Sequence, residues 1–480
     1  MRLTRTPKIL LSRGDVLGDV VITTALIVPI RKAFPGAKLY YLVRKDYIPL
    51  LEGIKDIDGL IEDPLPYSMK REDRSAFFGL VKTLRTYQFD VFLGLWENPR
   101  YAWLSFLAGI RVRIGHAFTL SNRILYTHLV RLDYLDYSMH KVDSNAALLK
   151  PLGIKQANHY PMQLDVKLET ESACMARYPW MMDSYCMVHL DAGNPMKTLL
   201  QDNFVLIVRL LLKKPGLRVV LFGRSRNKEV AHYILSRFQD GRDAVRLIDC
   251  CDDVDLAETE VLIKHCSFLI GADSGPVHIA AGFQRPVLAY YLNRSQNAMH
   301  WGPWRTRHQI VKSIHSCVDV CRLGECQKSD CREQISTEAL SEAIDALYSS
   351  KTLISDQNAT GASDIPTRLA DRYYWMQTSI MVGCVGPMRQ EMRTYLRSEG
   401  WTVFELNPRL SLSGLKTAIC EKNIGLLLVC DEVLEWSLQI KLEIVKRWAA
   451  NFSAFYLKVM HVPTVFEFER QVSDCLASHE

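Results

Sequence analysis

The chain has 480 residues, of which 48% are hydrophobic and 23% charged; this composition predicts two or three folded domains and excludes a mainly disordered protein. The formal net charge of +6 favours anionic partners, but there is no basic run with interleaved aromatic residues, so we expect no nucleic-acid partner. No stretch approaches the roughly 18 apolar residues of a membrane helix. The apolar run after Lys8 is broken at Ser12 and Arg13, which argues against a signal peptide and predicts a cytoplasmic protein.

Strand and helix patterns alternate along the chain, which predicts an α/β fold with parallel sheets covered by helices. The first block, residues 1–175, predicts a Rossmann-like domain with its site at the carboxyl ends of the strands. Its predicted elements are the strand Lys8–Leu11, a helix beginning near Gly18, the strands Lys38–Val43, Phe89–Leu95 and Val112–Gly115, and a helix over Lys141–Leu152.

A second Rossmann-like domain is predicted over residues 176–350 by the same alternation. Its predicted strands are Met187–Leu190, Arg218–Phe222, Ser267–Ile270 and Val287–Tyr291, and its predicted helices begin near Asp202 and Lys228 and span Thr337–Tyr348.

The turn GADSGPVHIAAG in this second block predicts an anion site where a strand runs into a helix. Asp273 and Ser274 offer a cap, Gly275 would let a phosphate approach the backbone, and the first N–H groups of the helix can receive that anion. His278, one turn further on, can donate to the same ligand or to a leaving group. The alternative is that Asp273 and Ser274 only cap a helix and that His278 is a satisfied core histidine.

A polar linker is predicted at residues 351–374, followed by a small flavodoxin-like α/β domain over residues 375–480. Its predicted strands are Ser379–Val385, Thr402–Leu406, Ile424–Cys430 and Ser453–Met460. An acidic pair that would hold magnesium is missing after its first strand, so we expect an accessory or docking domain without phosphorylation.

Four of the thirteen cysteines lie close together in a polar loop: Cys317, Cys321, Cys326 and Cys331. Four thiolates can form a tetrahedral zinc site, although close C-x₂-C pairs are absent, and free or transiently oxidised thiols are the alternative. Other cysteines, such as Cys266, have apolar neighbours and are expected to be reduced, buried thiols.

Four ordered motifs resemble glycosyltransferase family 9, the bacterial ADP-heptose:lipopolysaccharide heptosyltransferases. The resemblance extends over about Lys8 to Tyr348 and includes HKVDSNAALLKPLGI from His140. It implies the GT-B fold of two facing Rossmann-like domains, with the nucleotide-sugar donor in the second domain and the acceptor in the first. The motifs are LGDVV (Leu17–Val21), KAFPGAKLYYLV (Lys32–Val43), HLDAGNPMK (His189–Lys197) and DSGPVHIAA (Asp273–Ala281).

The resemblance implies an inverting transfer of heptose, or a similar sugar, to a lipopolysaccharide core or other lipid-linked saccharide. Asp19 would be the general base, ionised but of low basicity near a helix N-terminus; the alternative is an ordinary N-cap. Lys197 would meet the donor's phosphates without a metal, and no cofactor is implied. The donor cradle would comprise Asp273, Ser274, Gly275 and His278.

Three departures from the family pattern point to a divergent donor or acceptor. After Lys197 the usual residues are replaced by Thr198, Leu199 and Leu200. Asn227 stands where a glutamate is usual. Asp15 lies in a turn where small or hydroxyl residues are common.

Other functions fit the chain less well. The spacing of Gly14 and Gly18 lacks the G-x-G-x-x-G pattern of a dehydrogenase. A non-catalytic sugar-nucleotide-binding or scaffold protein is the main alternative, against which the retained Asp19 and Lys197 argue. Trp301 and Trp304 are interpreted as exposed aromatics that favour peripheral contact with the anionic inner membrane, although a solvated face explains the positive charge equally well.

Overall fold

A computed structural model describes residues 6–65, 70–130, 139–155, 160–239, 241–293, 296–314 and 330–349, and four strands between residues 381 and 461. Within these residues the strands form three separate parallel sheets, two of six strands and one of four. The predicted α/β class is therefore confirmed.

The first sheet has the doubly wound order β3-β2-β1-β4-β5-β6. Its central strand is apolar and buried between helices on both faces, as expected for a parallel sheet. The elements are β1 (Lys8–Ser12), α1 (Leu17–Thr23), α2 (Ile27–Ala33), β2 (Lys38–Arg44), α3 (Ile48–Glu52), β3 (Gly59–Asp63), α4 (Arg74–Tyr87), β4 (Val91–Gly94), α5 (Pro99–Leu107), β5 (Val112–His116), α6 (Leu120–Leu125), β6 (His128–Val130) and α7 (Lys141–Ala147).

The second sheet repeats this topology in the order β12-β11-β10-β7-β8-β9. Its elements are α8 (Leu168–Arg177), β7 (Tyr185–His189), α9 (Gln201–Leu212), β8 (Arg218–Phe222), α10 (Lys228–Ser236), β9 (Leu247–Asp249), α11 (Leu256–His265), β10 (Leu269–Ala272), α12 (Gly275–Gly282), β11 (Val287–Tyr291), α13 (Ala298–Trp301), β12 (His308–Lys312), α14 (Asp330–Glu333) and α15 (Thr337–Ser349).

The third sheet has the order β14-β13-β15-β16, which is the order of the first four strands of a flavodoxin-like sheet. Its strands are β13 (Met381–Val385), β14 (Thr402–Leu406), β15 (Ile424–Val429) and β16 (Lys458–His461).

The strand order reverses between β1 and β4 in the first sheet and between β7 and β10 in the second. In open α/β sheets ligands bind outside the carboxyl ends of the strands at such switch points. Both Asp19 and the Asp273 turn follow a strand that borders a switch point, so the topology predicts a ligand site at these two sheet edges.

The two six-stranded sheets share one apolar core, which continues from α1 into α12. Hydrogen bonds also join the segment before α7 to the segment around α13: His140 Nε2 lies 3.0 Å from the carbonyl oxygen of Gly302, and His300 Nδ1 lies 2.7 Å from that of Met139. No helix in the described part of the chain is long and apolar enough to cross a membrane.

The prediction that Trp301 and Trp304 are exposed is wrong. Both are partly buried against the core. The Trp304 indole donates to the carbonyl oxygen of Tyr160 at 3.1 Å and stacks on the His140 ring at 4.5 Å between centroids. The Lys141 ammonium lies over the Trp301 ring, 5.8 Å from its centroid, so both tryptophans contact the segment at the start of α7.

Candidate active site

A buried arginine organises the carboxyl end of β1. The Arg13 Nε atom lies 2.7 Å from Asp15 Oδ1, and its Nη2 atom lies 2.8 Å from Asp15 Oδ2. The same Nη2 donates to Asp19 Oδ1, and Nη1 donates to the carbonyl oxygen of Leu95 after β4. One guanidinium thus ties both carboxylates to the switch point of the first sheet.

Asp19 lies in the first turn of α1 and is buried. The N-cap alternative is wrong, because Val16 occupies the N-cap position and Arg13 binds the Asp19 carboxylate. Burial raises the pKa of Asp19 to about 7, since the loss of hydration outweighs the attraction of Arg13. The expectation of an ordinary, weakly basic aspartate is therefore wrong, because the helix N-terminus is not its dominant surrounding.

Further charged groups surround this pair from neighbouring elements. Glu97 follows β4, and Lys141 begins α7; Glu97 Oε1 and Lys141 Nζ are 3.5 Å apart. His116 ends β5 and is buried, which lowers its pKa to about 3 and keeps its ring neutral. The carboxyl edge of the first sheet therefore carries a buried, nearly balanced set of charges.

The turn from β10 into α12 forms the second edge. Ser274 is the N-cap residue, but its side chain makes no capping hydrogen bond to α12. Its Oγ instead lies 3.2 Å from the carbonyl oxygen of Ala272 and 3.3 Å from His189 Nδ1. Because the Ser274 hydroxyl does not cap the helix, the interpretation as a plain side-chain cap does not hold for it.

Lys197 and Asp273 form an ion pair in this edge, with 2.8 Å between Lys197 Nζ and Asp273 Oδ2. The lysine side chain is a quarter exposed, whereas that of Asp273 is buried. The lysine charge is therefore already directed at the start of α12 before any ligand arrives.

His278 is buried beside this pair, with Nε2 4.0 Å from Asp273 Oδ1. Burial lowers its pKa to about 4, so the ring is neutral at pH 7. Nδ1 has no hydrogen-bond partner among the described residues. The residue is thus buried as the core alternative requires, but it is not a satisfied core histidine.

The two edges meet where α1 touches α12. A Cβ atom on Gly18 would lie 2.7 Å from His278 Cδ2, and one on Gly275 would lie 2.5 Å from Leu17 Cδ2. Real Cβ atoms do not come this close, so both glycines are required for the contact. The structure thus brings the LGDVV and DSGPVHIAA motifs together, and the space over Gly275 that was assigned to a phosphate is filled by Leu17.

Sequence reasoning did not assign a role to several further residues at the carboxyl edge of the second sheet. Asp191 is buried after β7 and accepts hydrogen bonds from the Arg226 guanidinium, whose Nη2 also lies 2.7 Å from the carbonyl oxygen of Ala192. Asn227 is buried and bridges the two loops, with Nδ2 3.1 Å from the carbonyl oxygen of Leu190. The position of these residues directly after β7 and β8 is the signal that identifies them.

Most of the predicted cysteine site lies outside the described residues, namely Cys317, Cys321 and Cys326. Cys331 lies in α14 and is partly exposed. Among the described residues no group of three or more histidine, cysteine or acidic side chains is placed to hold a metal ion. The zinc site therefore stays a prediction, whereas Cys266 is a buried thiol as expected.

Comparisons with known proteins match this chain to one family. The sequence model of glycosyltransferase family 9 (heptosyltransferase) matches residues 77–330. Lipopolysaccharide heptosyltransferase 3 from Escherichia coli is 27% identical over 296 residues, which are 60% of this chain and 83% of the relative.

Solved structures agree with the fold. A family 9 glycosyltransferase from Veillonella parvula superposes with a TM-score of 0.60 at 20% identity, over 71% of this chain and 97% of that one. The ADP-heptose lipopolysaccharide heptosyltransferase II of Escherichia coli gives a TM-score of 0.59 at 20% identity, over 72% of this chain and 99% of that one. The first two sheets therefore have the GT-B arrangement of these proteins.

Proposed function

The chain belongs to glycosyltransferase family 9, and from this premise we propose that it transfers heptose, or a similar sugar, with inversion from a nucleotide-diphosphate donor to a lipopolysaccharide core or related glycan. ADP-heptose is the donor to test first, since the name of a matched relative contains it. The observation that carries the proposal is the contact of α1, which bears Asp19, with α12, which follows the turn that contains Asp273.

In this proposal Asp19 takes the proton from the acceptor hydroxyl as its oxygen attacks the anomeric carbon. The raised pKa supports this role, because a base with a pKa near the working pH combines basicity with a substantial ionised fraction. The Arg13 guanidinium restricts the carboxylate to one orientation. The bond from the anomeric carbon to the diphosphate breaks as the new glycosidic bond forms on the opposite face.

The leaving diphosphate would be stabilised by the Lys197 ammonium and by the first amides of α12. The amides are fixed by the helix, whereas the Lys197 ammonium would have to exchange Asp273 for the phosphate or share itself between the two. His278 Nδ1 is a further group with hydrogen-bonding capacity to spare. We expect transfer without a metal or cofactor, and this predicts full activity in the presence of EDTA.

The proposed acceptor is a lipid-linked or core saccharide at the cytoplasmic face of the inner membrane. The matched curated relatives include proteins named lipopolysaccharide heptosyltransferase and lipooligosaccharide heptosyltransferase, which supports this acceptor class. Asp15, at a turn where small or hydroxyl residues are common in the family, supports a divergent acceptor or donor within that class.

The test is a panel of nucleotide sugars with purified protein, scored by release of nucleoside diphosphate with and without acceptor saccharide. We expect Asp19→Asn to lower kcat by roughly 10²- to 10⁴-fold while donor binding is retained. Asp46→Asn is the matched control, since Asp46 is an exposed carboxylate that is paired with Arg44, 2.7 Å away, after the neighbouring strand β2.

Undiminished turnover in Asp19→Asn would remove the base assignment. Binding of a nucleotide sugar without turnover by any tested acceptor would favour the scaffold alternative, and no binding of any nucleotide sugar would contradict the proposal as a whole.

A further inference from the structure

The outer helical layer of the first domain leaves large apolar side chains exposed. α4, α5 and α6 all pack their inner sides on the same face of the first sheet. On their outer sides Leu120 is 73% exposed and Ile124 is 68% exposed, which is unusual for such residues. The exposed apolar residues of this layer, here called the α4–α6 face, are Phe78, Trp103, Phe106, Leu120 and Ile124.

The helices orient these side chains outward as amphipathic elements. α6 buries Asn122 and Leu125 in the domain and turns Leu120 and Ile124, four residues apart, to the opposite side. α5 packs beside α6 and presents Trp103 and Phe106, whose rings meet edge to face at 6.4 Å.

Between residues 74 and 130 every exposed charged side chain is positive, whereas Glu72, just before α4, is exposed and acidic and lies 3.8 Å from Lys70. Residues 74–130 are fully described, and none of their exposed side chains is acidic. Asp90 and Glu97 are half-buried and engaged, the first 2.8 Å from the backbone nitrogen of Lys8 and the second with Lys141. The exposed basic residues are Arg74, Lys82, Arg85, Arg111 and Arg123.

Two of the exposed arginines, Arg85 and Arg123, are anchored by hydrogen bonds, which keeps their charges next to the apolar side chains. Arg123 Nε lies 3.0 Å from the carbonyl oxygen of Ala117, and the Arg85 guanidinium donates to the carbonyl oxygen of Leu107 at the end of α5. The half-buried Arg113 guanidinium lies over the Phe106 ring, 5.4 Å from its centroid.

We propose that the α4–α6 face docks on an anionic lipid bilayer, with the apolar side chains in the interface and the arginines on lipid phosphates. Aromatic and branched apolar residues beside basic ones are the composition that binds such interfaces. A second copy of this chain would bring the same five positive charges against each other, so charge complementarity favours the bilayer.

The position of the face fits a membrane-embedded acceptor, and this part of the inference rests on the proposed function. α6 starts directly after β5, at the carboxyl edge that also carries Asp19. The Asn122 amide donates to the carbonyl oxygen of Glu97 at 3.2 Å, and Glu97 belongs to the charged set around Asp19. A bilayer at this face would lie beside the acceptor side of the crevice.

The test is co-sedimentation of the full chain with phosphatidylcholine vesicles that contain about one third phosphatidylglycerol, without donor or acceptor. Each basic side chain near such a surface contributes about fivefold in affinity. We therefore expect Arg111→Glu/Arg123→Glu to weaken binding by at least about 25-fold. Leu120→Ser/Ile124→Ser should also weaken it, and added salt should do so for the wild type.

Matched controls lie elsewhere on the surface. Leu168 and Met182 are 71% and 80% exposed, so Leu168→Ser/Met182→Ser removes similar apolar area, and Lys213→Glu reverses an exposed charge on the second domain. These variants should bind like the wild type.

Equal binding by the face variants and the controls would overturn the proposal, as would equal binding to vesicles of pure phosphatidylcholine. A wild-type dimer in light scattering that Leu120→Ser/Ile124→Ser dissociates would instead assign the face to a second copy. Vesicle binding needs no sugar transfer, so its failure is distinguishable from a failure of the proposed enzyme activity.

Discussion

Arg13 carries one positive charge and serves two carboxylates. An arginine bound to Asp19 alone would hold the pKa of that aspartate low, as salt bridges usually do. Here Asp15 takes two of the hydrogen bonds of the guanidinium and places a second negative charge beside Asp19. Burial makes the largest contribution to the raised pKa of Asp19 and the negative charge of Asp15 adds to it, so Arg13 can bind Asp19 without abolishing the basicity that a general base needs.

The pH dependence of kcat/KM should report this arrangement. Asp19 must be deprotonated to accept a proton, and its pKa is raised to about 7. We therefore expect kcat/KM to rise with pH through about 7 and to level off above it. The measurement is kcat/KM between pH 5 and 9 at subsaturating acceptor, and an activity that is flat down to pH 5 would contradict the assignment.

Asp15→Asn should shift the rise of kcat/KM with pH to lower pH values. The substitution removes a negative charge beside Asp19 and leaves Arg13 to Asp19 alone, and both effects favour the ionised form of Asp19. We expect the ratio of kcat/KM at pH 6 to that at pH 8 to rise severalfold, while kcat above pH 8 falls because the base is weaker. Asp46→Asn, with the same loss of charge, should leave the ratio unchanged.

Lys197 should act on donor binding through its charge. Lys197→Met keeps the aliphatic stem but removes the ammonium that lies 2.8 Å from Asp273, and we expect donor affinity to fall by about 10- to 100-fold. Lys197→Arg, which keeps the charge, should retain more affinity. Calorimetric titration with the nucleoside diphosphate measures both, and equal affinity of all three proteins would exclude a phosphate contact.

At the scale of elements, the contact of α1 with α12 depends on two glycines. Gly275→Ala would place a methyl group 2.5 Å from Leu17 Cδ2, so either the Leu17 side chain or the two helices must shift. We expect loss of stability of about 1–3 kcal/mol and a marked fall in kcat. Leu17→Ala in the same protein should restore part of the stability, because it removes the clashing atoms.

Gly79→Ala is the control for this substitution. Gly79 lies within α4, and a Cβ atom there would have no heavy atom within 4 Å. An alanine in that helix should raise the melting temperature slightly, since alanine is the better helix former by about 1 kcal/mol. If Gly275→Ala behaves like Gly79→Ala in thermal denaturation and turnover, the helix contact is not needed.

The sequence predicted the central strands of both large sheets but none of the four edge strands, β3, β6, β9 and β12. All four edge strands are partly exposed, and β6 and β9 have only three residues each, so their apolar pattern is weak. The candidate site was likewise predictable only in part from the sequence. The motifs identified the two turns, whereas part of the charge that acts on the pKa of Asp19 comes from Lys141 in α7 and Glu97 after β4, which are distant in sequence.

At the scale of the whole molecule, each sheet takes all its strands from one continuous stretch of chain. The first sheet uses residues 8–130, the second 185–312 and the third 381–461. The predicted linker at 351–374 falls between the second and third stretches. Sheets that exchange no strand can fold as separate units, and this supports the proposed division into two catalytic domains and an accessory domain.

A chain shortened to residues 1–349 should therefore fold and retain transfer. It keeps every strand of the two large sheets and the whole of α15, whose Leu340 and Ile344 are fully buried in the second core. We expect its melting temperature to match that of the full chain. Its kcat/KM on a soluble acceptor should agree with that of the full chain within about twofold. A chain ending at Ser336 is the control: it loses both buried side chains, at about 1.5–3 kcal/mol each, and should be strongly destabilised. If the 1–349 chain melts like the full chain but transfers no sugar, the third block must contribute to the reaction itself, and its role as an accessory domain would have to be abandoned.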